Sequence, residues 1–96
     1  MIVHIVMFKF KEENREANME KAKSMLEALV DKITALKAME VGIDFSRSER
    51  AFDLSLYSTF DTKEGLNEYA VHPAHLEVVA FIKEVTEVSK VVDYEK

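Results

Sequence analysis

Ninety-six residues suffice for one domain, and a chain that is 48% hydrophobic and 32% charged has the balance of an ordinary globular protein. Its formal net charge of −5 argues against nucleic acid as a partner, because phosphate backbones reward basic patches. Without cysteine there can be no disulfide framework, thiolate metal site or cysteine nucleophile.

No apolar run reaches the ~18–20 residues that a membrane helix requires, so no membrane partner is expected. The apolar start from Met1 to Phe10 carries His4 and Lys9 but no basic leader, so a secretory signal is not expected and the default location is cytoplasmic. Two glycines and one proline leave no stretch that reads as a linker, which makes residues 1–96 a single domain.

Residues 2–11 are rich in β-branched and aromatic types and predict a first strand, with Ile2, His4, Val6, Phe8 and Phe10 on one face. Val3, Ile5, Met7, Lys9 and Lys11 fall on the other. From about Asn14 to Lys37 the period changes. Met19, Ala22, Leu26, Leu29, Ile33 and Leu36 recur at steps of three and four, which predicts one long amphipathic helix.

Alternation returns over Met39–Ser46 and again over Ala51–Phe60, giving strands two and three around the polar turn Arg47–Arg50. Asp61 with Glu64 three positions on reads as a helix start, for a helix ending near Tyr69. Pro73 opens another helix, whose inward stripe is His75, Val78, Val79 and Ile82. Ser89–Tyr94 reads as strand four.

The order β-α-β-β-α(α)-β predicts an α+β, ferredoxin-like fold: a four-stranded antiparallel sheet with helices on one face. Right-handed crossovers put strand three between strands one and two, and strand four beside strand one. The other face, with Val3, Ile5, Met7 and Tyr57, would be bare and apolar, so the expected partner is a second copy of the chain packed through that open face.

The candidate site is the corner Tyr69-Ala70-Val71-His72-Pro73-Ala74-His75. Pro73 has no N–H to donate and steers His72 away from helical angles. His75 points inward from a first helical turn, where the helix dipole disfavours an imidazolium, so it is either a core histidine or a neutral general base. Tyr69 is either a packing residue or the matching hydroxyl donor. His4, alone among apolar neighbours on its strand face, needs a partner once buried and could converge with His75 on one cavity. His72 either caps the new helix or faces solvent. The His72–His75 spacing lacks an acidic fourth ligand and carries Pro73 between, so no metal is expected, and no motif implies a cofactor. Phe8, Leu29, Leu54, Leu56, Phe81 and Ile82 are the expected apolar lining, with His72 at the rim.

Several stretches together carry a likeness: His4–Lys11, Glu40-Val41-Gly42, Phe52-Asp53-Leu54, the Tyr69–His75 corner and Val91-Val92-Asp93-Tyr94. In this order they resemble the stress-responsive A/B-barrel domain (Dabb) family of the dimeric α/β-barrel superfamily. The resemblance spans essentially the whole chain and implies a dimeric barrel with two sheets face to face. Many members of that family have no established activity, and some are stress-induced plant proteins. A few relatives are cofactor-independent polyketide cyclases, in which the tyrosine and last histidine of the corner do acid–base work. Here those roles would fall on Tyr69 and His75, with His4 also lining the pocket. A further strand-three histidine of those cyclases corresponds to Leu54, so their full reaction does not carry over.

Three functions therefore stay open. The first is a homodimer with a pocket for a small apolar or aromatic ligand and cofactor-independent, cyclase- or isomerase-like acid–base chemistry on a carbonyl metabolite. The second is a non-enzymatic stress-response or assembly protein with a filled core. The third, weaker, is a cofactor-free monooxygenase.

Overall fold

A computed structural model describes residues 1–96. Its elements are β1 (Ile2–Phe10), α1 (Arg15–Glu27), β2 (Ala38–Ile43), β3 (Leu54–Phe60), α2 (Lys63–Val71), α3 (Pro73–Val85) and β4 (Thr86–Glu95). The four strands form one antiparallel sheet in the order β2-β3-β1-β4, the ferredoxin-like arrangement expected from the connection rules. The helices lie on one face. Met19, Ala22 and Leu26 of α1 and Val78 and Ile82 of α3 share one core with Ile2, Val6, Phe8 and Phe10 of β1. No helix is long and apolar enough to cross a membrane.

Register shows why strand alternation located the core correctly. Val6 lies opposite Leu56 on one side and Val91 on the other, so the even-numbered face of β1 meets the helices. On the open face Ile5 stands between Tyr57 and Val92. Met7, Val92 and Tyr94 there are exposed. Val3, expected to be bare, is instead fully buried between Thr59 and Tyr94.

Three boundaries differ from expectation. The apolar stripe of the predicted 14–37 helix is buried to its end at Leu36, but regular helix stops at Glu27. A 3-10 turn over Ala28–Asp31 follows, and the Ile33 N–H to Leu29 carbonyl and Leu36 N–H to Ile33 carbonyl bonds carry the chain on to β2. Steps of three and four are met by tight turns as well as by helix, and Val30, Ile33 and Thr34 are β-branched residues that weaken helix there. The start of α2 is capped by the Thr62 hydroxyl, which accepts the Gly65 N–H at 3.0 Å. Asp61 faces Lys37 instead, 3.7 Å away. Strand β4 begins at Thr86, straight from the end of α3, three residues before its expected start.

A further difference is at residues 44–53, where β2 and β3 are shorter than predicted. Asp53, just before β3, is 1% exposed. Its carboxylate accepts the Phe10 N–H at 2.6 Å and sits 2.7 Å from the Arg47 guanidinium. Arg47 is held at φ 52° in the left-handed region, with its N–H donated to the Asp44 carboxylate at 2.7 Å. A buried carboxylate thus anchors the loop to the end of β1. Burial alone would raise its pKa, but the Phe10 N–H and Arg47 outweigh burial and hold it below the usual carboxylate value.

Removing one partner of a buried pair leaves the other uncompensated. Asp53→Ala should therefore cost about 3 kcal/mol in urea unfolding. Because the folded pKa is depressed, Asp53's contribution is present above the unfolded value of 3.8 and is lost as pH falls below it. Wild type and Asp53→Ala should converge in stability on acidification.

Candidate functional site

The corner between α2 and α3 follows from local chemistry. Pro73 takes the first position of α3, where its missing N–H costs nothing. His72 is extended, with φ −65° and ψ 135°, as the residue before proline prefers. Its Nδ1 accepts the Ala74 N–H at 3.0 Å, capping α3. His72 is therefore a cap and does not line the cavity described below.

The break brings Tyr69, from the last turn of α2, onto His75, in the first turn of α3. Their ring centroids are 4.2 Å apart and tilted by 38°. Tyr69 is 1% exposed and packs on Phe60 at 5.1 Å and His4 at 6.2 Å. Burial pushes its pKa up to about 12, and no hydrogen bond within the chain engages its hydroxyl. The phenol is thus a protonated donor near neutral pH.

His75 Nδ1 lies 3.1 Å from the Ala70 carbonyl. A carbonyl can only accept, so Nδ1 carries the proton and Nε2 keeps its lone pair. Burial lowers the His75 pKa, the Ala70 hydrogen bond works against that, and the charges of His4 and His72 lower it further. The net effect favours a neutral imidazole at pH 7 with a free Nε2.

His4 reaches the same place from β1. Its Nδ1 is hydrogen-bonded to the Asp93 carboxylate, its register partner on β4. Since the carboxylate accepts, the Nδ1 proton is fixed and Nε2 is left over. Nothing in the local pattern of β4 singles out Asp93. Pairing β1 and β4 antiparallel from Val6 opposite Val91 would have put Asp93 beside His4.

These residues close one end of a cavity of about 210 Å³ between the helices and the sheet. Most of the rest of its wall is apolar: Val6, Phe8, Leu26, Leu56, Val78, Val79 and Ile82. Lys83, Thr86 and Ser89 complete it. Of the expected lining, Phe8, Leu56 and Ile82 are there. Leu29 is not: it belongs to the 3-10 turn and is fully buried in the core. Leu54 lies two residues before Leu56, at the start of β3, and borders a separate groove with Met7 and Phe52. Phe81 faces Lys21, whose Nζ sits 4.5 Å above its ring. Leu26, Val78 and Val79 were legible as inward positions but not as cavity lining. No three His, Asp or Glu side chains converge in a way that could hold a metal ion.

Comparison with known proteins agrees with this frame. Olivetolic acid cyclase of Cannabis sativa is 31% identical over 77 residues, covering 78% of this chain and 76% of the relative. A dimeric ferredoxin-like protein of unknown function from Bacteroides fragilis is 33% identical, with a TM-score of 0.91 over 99% of this chain and 95% of that one. A hydroxynitrile lyase from Passiflora edulis has a TM-score of 0.86 at 21% identity, over 97% of this chain and 90% of that one. At that identity the lyase establishes only a shared fold, and one fold carries many reactions. The profile of the stress responsive A/B barrel domain matches residues 2–96, and the chain belongs to that family.

Proposed function

We propose that the chain forms a homodimer through its open sheet face, and that each cavity binds a small apolar or aromatic carbonyl compound for cofactor-independent proton transfer. The observation that carries this reading is the convergence of Tyr69, His75 and His4 at one end of a cavity whose middle is apolar. His75 Nε2 takes a proton from the carbon next to the carbonyl, leaving an imidazolium and an enolate. The Tyr69 hydroxyl donates a hydrogen bond to the oxygen where that charge collects. His4, oriented by Asp93, holds or polarises the same carbonyl. Return of the proton to another carbon gives isomerisation; attack of the enolate on a second carbonyl gives cyclisation, the new alkoxide taking the proton from the His75 imidazolium and restoring the base. A dimeric relative at 33% identity and a cyclase at 31% identity support the assembly and the reaction class. The exposed Met7, Val92 and Tyr94 supply the apolar surface for the dimer. A purely structural protein would be expected to fill its core, and the cavity speaks against that alternative.

His75→Ala should lower turnover of a cyclisable or enolisable apolar ketone by about 10²–10⁴-fold, with the dimer and its melting transition retained. Tyr69→Phe should reduce kcat more than it raises KM. Unchanged turnover in His75→Ala would remove it as the base.

The same histidine sets a pH dependence. Its folded pKa lies below the ordinary value of 6.5, so below that value the unfolded chain holds more protons at this site than the folded one. Stability should therefore fall as pH drops from about 6.5, whereas kcat/KM should hold until the pH reaches the lower folded value and then fall. Urea unfolding at pH 7.5 and pH 5.5 should differ less in His75→Gln than in wild type.

A further inference from the structure

The cavity has a direction. His4 and Phe8 are four residues apart on β1, roughly 13 Å along the strand. His75 and Lys83 are eight residues apart on α3, roughly 12 Å along the helix. Both walls therefore describe a slot of similar length, with the Tyr69–His75–His4 group at one end. At the other end are Lys83, Thr86 and Ser89, and Ser89 is the register partner of Phe8. A volume of about 210 Å³ stretched over that length is narrow, suited to an alkyl chain or a single ring.

The two ends differ in access. Tyr69 is buried and His4 and His75 are half-buried, whereas Lys83 and Ser89 are exposed, so the slot is more open at the Lys83 end. They also differ in chemistry. No Asp or Glu side chain lines the cavity, although the chain as a whole is acidic. Lys83 belongs to none of the chain's ion pairs. Its acidic chain neighbours Glu84 and Glu87 are exposed and do not line the slot. The Thr86 hydroxyl is already donated to the Ile82 carbonyl at 2.8 Å. Ser89 and Lys83 remain as donors at the mouth, and both suit an oxyanion.

We infer that the slot selects an elongated apolar molecule with an anionic end group, a medium-chain carboxylate, whose charged end lies at Lys83 and Ser89 while its other end reaches Tyr69 and His75. This rests on the reading that the cavity binds small apolar molecules, and it adds the ligand's charge and orientation. Any reactive carbonyl then sits a chain length away from the carboxylate.

Octanoate and 1-octanol separate the two claims, since they share a chain and differ in charge. Calorimetric titration at low ionic strength, with methyl resonances of Val79 and Ile82 reporting the site, should show octanoate binding about three- to tenfold tighter than octanol. Added salt should shrink that preference. In Lys83→Met the preference should vanish while the same methyl groups still respond to octanol. In Lys83→Glu, octylamine should become the better ligand. Equal binding of the two probes to wild type, or a preference that survives in Lys83→Met, would overturn the selectivity and leave the cavity reading standing. No response of Val79 or Ile82 to either probe would overturn both.

Discussion

The missing N–H of Pro73 is the constraint on which the site depends. In an unbroken helix, residues six apart sit about 9 Å apart along the axis and roughly 120° apart around it. Tyr69 and His75 could not then meet. With Pro73 starting a new helix and His72 extended before it, the two rings stack at 4.2 Å. The same break frees the Ala70 carbonyl, near the end of α2, to take the His75 Nδ1 proton. One backbone restriction thus sets both the position and the tautomer of the imidazole.

The rest of the fold gives that corner an apolar chamber to face. Strand β1 runs through the middle of the sheet, so its even-numbered residues meet the helices and bring His4 to Tyr69 from the opposite wall. Strand β4 then places Asp93 beside His4. The Asp53 anchor lies at the other end of β1, where it ties the 44–53 loop to Phe10. The polar groups needed for proton transfer are gathered at one end of the slot, and the middle is left to hydrocarbon. Burial there has opposite consequences for the two main groups. It keeps Tyr69 protonated and favours His75 unprotonated, a division suited to a donor and a base.

Much of this was legible in the residues because periodicity reports burial directly. Alternation in β1 separated His4 from Met7, and helical spacing turned His75 inward, without knowledge of the partners. What periodicity does not report is how a buried stripe is built. Leu29, Ile33 and Leu36 are as buried as expected, yet they sit on turns rather than helix. It also does not report pairings between distant residues. Asp53 and Asp93 carry no periodic signal of their own: the loop fold sets the first against Arg47, and strand register sets the second against His4. The expected cavity lining failed at Leu29, Leu54 and Phe81 for a related reason: inward-facing is not the same as cavity-facing, and only the packing of helix on sheet decides which apolar residues enclose space.

The protonation of His75 is the most direct test of this account. Long-range proton–nitrogen correlation spectra of the ¹⁵N-labelled protein at pH 7 distinguish the two neutral tautomers from the imidazolium. The corner predicts a neutral His75 with the proton on Nδ1 and an unprotonated Nε2. A doubly protonated ring, or a proton on Nε2, would contradict a free base at the end of the slot.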